Sequence, residues 1–233
     1  MDYIEFQKIL DYFSYGLYAV CSNKNGKLNG QISNAVMQVT ALPPRVVVCI
    51  NKVELTWEYI KESGTFTINI LSEDAPMKYI GILGYRSGRD SDKFSKLKYK
   101  LSPNGNPILT EYCIGVIEAN VIGEMDVNSH TLFLGEVIYG EKLDEGVPLT
   151  YDYFKKIKGG KAPKNAPTYR FSEKELSKKT SILYECAKCR YIYNSEKGDP
   201  DNNVEPGTLF ENLPDFWTCP LCGNGKRNFR KLG

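Results

Sequence analysis

Residues 184–229 read YECAKCRYIYNSEKGDPDNNVEPGTLFENLPDFWTCPLCGNGKRNF, and this stretch decides the fold of the C-terminal part of the chain. It contains four cysteines with the spacing C-x2-C-x29-C-x2-C: Cys186, Cys189, Cys219 and Cys222. Each C-x2-C pair places two thiolates on one tight turn. Two such turns that face each other form a tetrahedron of sulfur, which suits zinc or a single iron. The spacing alone leaves both metals open.

The residues between the two pairs favour iron, because the stretch resembles rubredoxin along its whole length. The matching landmarks are Tyr191, Tyr193, Gly198-Asp199-Pro200-Asp201, Pro206-Gly207-Thr208, Phe210, Leu213-Pro214, Trp217, Cys219-Pro220 and Cys222-Gly223. A domain of about fifty residues has little core, so a bound metal must help it to fold. The resemblance implies one iron held as Fe(Cys)4 and one-electron transfer. One departure is Arg190, where rubredoxins usually have glycine.

Length and charge limit the rest of the chain. With 233 residues the chain has room for two domains of unequal size. A net charge of +2 indicates neither a nucleic-acid nor an acidic-membrane partner. No apolar run approaches the roughly 20 residues that span a bilayer. The start, Met1-Asp2-Tyr3-Ile4-Glu5-Phe6, lacks the pattern of a signal peptide, and we therefore expect a cytoplasmic protein.

The first part of the chain is predicted to be mainly β. Many short strands, few helices and no βαβ alternation indicate a closed or partly closed antiparallel barrel. The predicted helices are 2–13, TWEYIKES with its cap at Thr56, and DAPMKYIGIL. The predicted strands are LYAVCS, LNGQIS, AVMQVTAL, RVVVCIN, TFTINIL, and the two longest, YCIGVIEANVIGEMDV and HTLFLGEVIYGEKL.

Residues 1–169 lack the usual dinucleotide signatures, but most of residues 5–169 resemble a flavin-binding family. There is no G-x-G-x-x-G after a strand and no P-loop, and His130 is the single histidine. The segment resembles the flavin reductase-like family, the FMN-binding split β-barrel that includes flavoredoxin. The resemblance rests on Leu28-Asn29-Gly30, Asn34 to Thr40, Pro43-Pro44, Cys49 to Lys52, Thr56, Ser63-Gly64, Phe66, Asn69 to Leu71, Ser87 to Asp90, Asp92 to Phe94, His130-Thr131, Phe133, Gly135 to Val137 and 159–167.

This resemblance implies a set of FMN-binding residues. Those that address the flavin edge are Asn29, Asn34, Gln38, Val39, Thr40 and Asn51. Thr56 begins a predicted helix, where a phosphate binds well, and Lys93 can supply a cation. His130, as the catalytic residue, and Phe154 or Tyr153 are expected near the flavin. The alternatives are a simple helix cap for Thr56, surface charge for Lys93 and a hairpin position for His130.

The two resemblances together predict an electron-transfer oxidoreductase with a flavin domain at 1–169, a linker at 170–181 and a rubredoxin domain at 182–233. NAD(P)H would reduce FMN, and a flavin can pass its electrons on singly to a one-iron centre. Such fusions resemble the high-molecular-weight rubredoxins of anaerobes, which implies a flavodiiron protein as the acceptor. A homodimer is expected. Two alternatives stay open: a carrier whose flavin is reduced by another protein, and a zinc protein.

Overall fold

The computed structural model describes residues 3–172, 175, 183–195 and 197–232. Tertiary contacts divide the chain into two compact units, the barrel unit at 11–169 and the cysteine unit at 1–10 with 170–233. The first residues group with the cysteine unit, where the Gln7 side-chain amide exchanges two hydrogen bonds with the backbone of Phe171. The predicted linker 170–181 lies largely outside the described residues, and the predicted domain bounds stay a prediction.

The barrel unit is built mainly from strands. Its strands are β1 (Tyr18–Lys24), β2 (Lys27–Ser33), β3 (Val36–Ala41), β4 (Pro44–Asn51), β5 (Thr65–Leu71), β6 (Tyr99–Leu101), β7 (Pro107–Leu109), β8 (Cys113–Val127) and β9 (His130–Lys142). Helix α1 (Tyr3–Leu10) precedes them, and the barrel unit also contains α2 (Leu55–Ser63), α3 (Met77–Gly84) and α4 (Tyr151–Lys156). No helix of the described residues is long and apolar enough to cross a membrane.

Seven strands form one antiparallel sheet in the order β2-β1-β5-β8-β9-β4-β3. Its two edge strands are consecutive in the chain, with only Asn34 and Ala35 between them. A flat sheet of this size would hold its edges roughly 29 Å apart, whereas the chain from Ser33 to Val36 reaches at most about 11 Å. The sheet therefore rolls until its edges meet. This confirms the predicted mainly β barrel.

Both faces of strand β1 are covered. Ala19 and Cys21 of β1 pack into one apolar cluster with α3, while Val20 between them packs into a second cluster with Phe66 and Phe133. Because side chains alternate along a strand, a strand that is buried on both faces has a nearly continuous apolar sequence. This explains the LYAVC and RVVVCIN runs.

The cysteine unit is small and aromatic. Strands β10 (Tyr184–Cys186), β11 (Ile192–Tyr193) and β12 (Phe229–Lys231) form a sheet in the order β11-β10-β12. Tyr193, Phe210 and Trp217 form its core, and the Trp217 indole N–H donates to the buried Asp199. The core of this unit is therefore mainly aromatic.

Two predicted helix starts are wrong. Helix α2 begins at Leu55, one residue before the predicted cap Thr56, and its N-cap residue is Glu54. Helix α3 begins at Met77 rather than at Asp74, since Pro76 occupies the N-cap position and the residue before a proline avoids the helical conformation.

Candidate functional site

The four cysteine sulfur atoms of the cysteine unit lie within 4.8 Å of one another. Cys186 Sγ is 3.7 Å from Cys222 Sγ, and Cys189 Sγ is 3.5 Å from Cys219 Sγ. A tetrahedral metal with metal–sulfur bonds of about 2.3 Å places its sulfur ligands about 3.8 Å apart. The four predicted ligands therefore form a cage that fits one tetrahedral metal ion.

Backbone amides donate hydrogen bonds to all four sulfur atoms. In the first turn, the N–H groups of Lys188 and Cys189 donate to Cys186, and the N–H of Tyr191 donates to Cys189. In the second turn, the N–H groups of Leu221 and Cys222 donate to Cys219, and the N–H of Asn224 donates to Cys222. Burial raises the pKa of the Cys186 thiol, but the backbone donors, the Asn224 carboxamide and the Cys222 side chain outweigh it and hold the value at about 6. The pKa values of the Cys189, Cys219 and Cys222 thiols are raised, with burial and neighbouring thiols outweighing the backbone donors. A thiolate is the form that binds metal.

In the barrel unit, a cleft of about 470 Å³ lies at the end of β2, beside the start of β9. Three predicted residues line it: Asn34, Asn51 and His130. An adjoining apolar cleft of about 400 Å³ shares Asn34 and also contains Phe154. The structure thus brings these four predicted flavin residues to one region of the fold.

The cleft contains polar atoms that need a partner. Among the described residues, Gln31 Oε1 and His130 Nε2 are buried without a hydrogen bond. The same is true of Asn29 Oδ1, whose side chain lies on the same face of β2 as that of Gln31. Leaving such an atom unpaired costs roughly 1–3 kcal/mol. FMN carries ribityl hydroxyls, a ring N–H and ring carbonyls, so the residues present fit this cofactor.

The surroundings of His130 favour its neutral form. Burial lowers its pKa below the ordinary histidine value, and this outweighs opposing effects of Asn165 and Glu54. Its Nδ1 lies 2.9 Å from Ser129 Oγ, which leaves Nε2 directed into the cleft. A neutral imidazole can accept or donate a hydrogen bond at that atom.

Asn29, Thr56 and Lys93 form a second buried group. Asn29 Nδ2 donates to Thr56 Oγ1 at 2.9 Å, across 27 residues. Lys93 is 6% exposed, and its ammonium donates to the carbonyls of Gly30 and Leu83 at 2.8 and 3.2 Å. The surface-charge alternative for Lys93 is therefore wrong. Two of its three N–H donors are occupied, and the third is the one available to an anion.

The apolar cleft supplies a surface for a flat ring. Phe154 is buried, and Gly160 packs so closely on its ring that a Cβ atom there would collide with it. Tyr153, the alternative to Phe154, lies instead under the Lys158 ammonium. Of the two predicted aromatic residues, Phe154 is the one that lines the cleft.

Three predicted residues lie elsewhere. Gln38, Val39 and Thr40 are exposed on the edge strand β3 and line neither cleft of the barrel unit. Gln38 Nε2 donates to the Thr40 carbonyl, and Thr40 Oγ1 donates to the Pro43 carbonyl. Their proposed contact with FMN stays a prediction.

The sequence argument missed several residues of the cleft. Gln31 is one of them, although it lies two residues after Asn29 and so on the same face of the strand. Arg86 and Asn165 also line the cleft. The strand periodicity could have identified Gln31, whereas Arg86 and Asn165 reach the cleft from distant segments.

The segment 159–169 covers the cleft and is fixed at three points. Tyr85 Oη donates to the Lys161 carbonyl at 2.8 Å. Asn165 receives a hydrogen bond from Asn51 at its carbonyl and donates one to Glu54. Asn34 Nδ2 donates to Thr168 Oγ1 at 2.9 Å. These bonds hold the segment against the cleft, where Pro163, Asn165, Ala166 and Pro167 form part of its wall.

Comparison with known protein families gives a match to each part of the chain. A flavin reductase like domain matches residues 10–159, and a rubredoxin domain matches residues 183–229. The chain is 40% identical over 226 residues to the high molecular weight rubredoxin of Moorella thermoacetica, which covers 97% of this chain and 99% of that protein.

Two further relatives match the barrel unit. The ferric-chelate reductase (NAD(P)H) of Archaeoglobus fulgidus is 42% identical over 169 residues, which is 72% of this chain and 98% of that protein. The crystal structure of flavin reductase HpaC with NADP+ has a TM-score of 0.55 and 27% identity, over 63% of this chain and 91% of that one. The chain therefore belongs to the flavin reductase-like family, with a flavin cofactor in its barrel unit and a rubredoxin domain that binds one iron.

Proposed function

We propose that this protein is an NAD(P)H-dependent oxidoreductase that passes electrons through FMN to its own iron centre. The observation that carries the proposal is that one chain holds both a cleft with unpaired polar atoms that fit FMN and a cage of four thiolates. The relative named ferric-chelate reductase (NAD(P)H) supports NAD(P)H as the electron donor.

The chemistry divides between cofactors and side chains. A bound flavin accepts two electrons as hydride and releases them singly, which an iron centre can accept. His130 Nε2 offers a hydrogen-bonding atom at the cleft and can hold or release a proton there. Phe154 supplies an apolar contact, and the segment 159–169 provides one wall of the cleft. The four cysteines hold the iron without leaving an open ligand position.

Anaerobic stopped-flow mixing of the holoprotein with NADH or NADPH tests this function. We expect the flavin absorption to bleach first and the iron absorption to follow. As a control, the iron of a flavin-free sample should stay oxidised. If the flavin of the holoprotein stays oxidised with both nicotinamides, the protein is a carrier whose flavin another protein reduces.

The terminal acceptor that we propose is a flavodiiron protein that reduces oxygen or nitric oxide, as the fusion with rubredoxin suggests. The test is reoxidation of the reduced iron centre, under anaerobic conditions, by a purified flavodiiron protein with nitric oxide. A rate no faster than that with nitric oxide alone would exclude this acceptor.

We also propose a homodimer through the barrel unit. Strand β3 is an edge of the sheet and exposes Met37 and Val39, and Leu42 directly after it is exposed as well. An exposed apolar edge favours association. A partner subunit would bring a second copy of residues 38–40 toward a cleft. Sedimentation of the FMN-loaded protein should give twice 26.4 kDa. A monomer with full FMN occupancy would contradict this.

A further inference from the structure

Asn224 makes a contact with the sulfur cage that its position in the turn does not require. The six backbone donors described above include the N–H of Asn224, and any residue except proline would supply it. The side chain of Asn224 does more: its Nδ2 lies 3.8 Å from Cys186 Sγ, a sulfur of the opposite turn. It is therefore a seventh N–H donor, and this donor is specific to asparagine at this position.

The orientation of this carboxamide is fixed by its neighbours. Asn224 Oδ1 accepts a hydrogen bond from Asn228 Nδ2 at 3.1 Å, so the oxygen is occupied. A metal-bound thiolate accepts hydrogen bonds but has no proton to donate, so only the nitrogen end of the carboxamide is attracted to it. Both neighbours thus favour the same orientation of an amide whose two ends are otherwise difficult to distinguish.

The hydrogen bond from Asn224 Nδ2 to Cys186 Sγ lies in a buried part of the iron site, where its electrostatic effect is strong. Cys186 is 0% exposed, and a hydrogen bond in a low-dielectric interior is electrostatically stronger than one in water. Reduction adds one electron and converts Fe(III) to Fe(II), so the net charge of the iron with its four thiolates changes from −1 to −2. An N–H donor stabilises the more negative state more, because the added charge is shared with the sulfur atoms.

We propose that the Asn224 carboxamide raises the reduction potential of the iron centre by donating to Cys186 Sγ. Asn224 acts here as a positioning and tuning residue, and Asn228 holds it in place. The inference depends on the iron site alone and not on the electron route proposed above. A more positive potential makes the centre a better acceptor for electrons from a flavin.

The test is a redox titration of the iron absorption in the iron-loaded full chain at an electrode, without any nicotinamide. Asn224→Leu keeps the approximate volume and removes the donor. At the wild-type midpoint we expect its ratio of reduced to oxidised iron to fall about three- to tenfold, where tenfold corresponds to 59 mV for one electron. Its Fe–S stretching bands should move to higher frequency.

The matched control is Asn212→Leu, because Asn212 is an exposed asparagine of the same unit and its side chain makes no hydrogen bond within the described residues. Its midpoint should equal that of the wild type. Asn228→Ala keeps Asn224 but removes its support, and should shift the midpoint in the same direction by less. This variant decides the matter if Asn224→Leu does not hold iron. An unchanged or raised midpoint potential in Asn224→Leu overturns the proposal. If Asn224→Leu does not hold iron, an unchanged or raised midpoint potential in Asn228→Ala overturns it instead.

Discussion

At the scale of single residues, Arg190 occupies a backbone conformation that usually belongs to glycine. Its φ angle is 66°, directly after the ligand Cys189. Its N–H donates to the Cys186 carbonyl, and Tyr191 then donates to Cys189, so the turn needs this conformation. Its guanidinium contacts Glu185 at 3.0 Å, and Glu185 is also held by Arg230. The turn is thus retained with an arginine in place of the expected glycine.

We expect Arg190→Gly to be more stable than Arg190→Ala by about 1 kcal/mol, because both lose the guanidinium but only glycine is free of strain at this φ. The measurement is denaturant unfolding of the iron-loaded chain, followed by the iron–sulfur absorption. Comparing two variants with each other removes the contribution of the ion pair. Equal stabilities would show that this turn stores no backbone strain.

His130 is the single histidine of the chain, so its imidazole NMR signals can be assigned without ambiguity. Burial lowers its pKa, so its NMR titration in the folded protein should fall below the value of about 6.5 seen in an unfolded chain. The unfolded chain then binds more protons in this window. The contribution of the neutral His130 to the free energy of unfolding is therefore fully present above about pH 6.5. It is lost as the pH falls through the folded pKa.

The measurement is the pH dependence of the imidazole C–H shifts, with the urea-unfolded protein as the reference. In His130→Gln, the free energy of unfolding should fall less below pH 6.5 than it does in the wild type, because the contribution of His130 is removed. A folded pKa at or above that of the unfolded chain would show that the cleft does not disfavour the charged imidazole.

Individual residues also show where sequence reasoning was limited. The four cysteines were predictable because their chemistry is contained in two short motifs. Thr56 was predicted as a cap from local rules, whereas its hydroxyl is bound by Asn29, 27 residues earlier. Lys93 was expected to supply a cation to a phosphate, with surface charge as the alternative. Its burial beside carbonyls of β2 and α3 excludes only the surface alternative. Contacts of this kind depend on the tertiary fold.

At the scale of elements, Gly135 of β9 marks a close approach between strands. A Cβ atom at this position would lie 2.7 Å from the Phe66 ring and 2.8 Å from Ala119 Cβ. The neighbouring strand β8 offers a comparison at Gly123, where a Cβ atom would lie 4.0 Å from Leu134. These two glycines face very different surroundings within one strand pair.

We expect Gly135→Ala to lower the free energy of unfolding of the barrel unit by about 1–3 kcal/mol, because the new methyl group overpacks the interior. Gly123→Ala should be neutral or stabilising by up to about 1 kcal/mol. Urea unfolding followed by circular dichroism measures both. A Gly135→Ala barrel as stable as Gly123→Ala would mean that the strands can separate at little cost.

Most elements could be predicted because residues close to each boundary determine where the element begins or ends. The predicted strand TFTINIL coincides with β5, which follows the left-handed Gly64 at the end of α2. The predicted hairpin at Asn128-Ser129 joins β8 and β9, with Asn128 at a φ of 67°. The start of α3 was placed too early, since Pro76 was not weighed against the apolar pattern that follows it.

At the scale of the whole molecule, the two cofactor sites belong to different compact units. All four thiolates lie in the cysteine unit, and every predicted FMN residue lies in the barrel unit. The barrel unit has two apolar clusters of its own and the cysteine unit has a third. The loss of one cofactor should therefore leave the other site intact.

Cys219→Ser should remove the iron absorption and leave the flavin reducible by nicotinamide at a rate within about twofold of wild type. Loss of one thiolate removes much of the metal's contribution to folding the cysteine unit, whereas the barrel unit keeps its own core. The measurement is anaerobic stopped-flow with NADH and NADPH, together with metal analysis. Thr218→Ser, beside the ligand, is the control that keeps iron. Failure of flavin reduction in a folded, FMN-loaded Cys219→Ser would require a different order of the two centres.

The short passage from β2 to β3 has a consequence for how the barrel assembles. Pairing β4 with β9 brings together residues as far apart in sequence as Arg45 and Glu136, and the entropy lost in closing such a loop grows with its length. The edges β2 and β3, in contrast, are tethered by two residues. Bringing these two edges together therefore costs no more chain entropy than closing one of the two-residue hairpins β1–β2, β3–β4 or β8–β9, although the edges lie at opposite ends of the strand order.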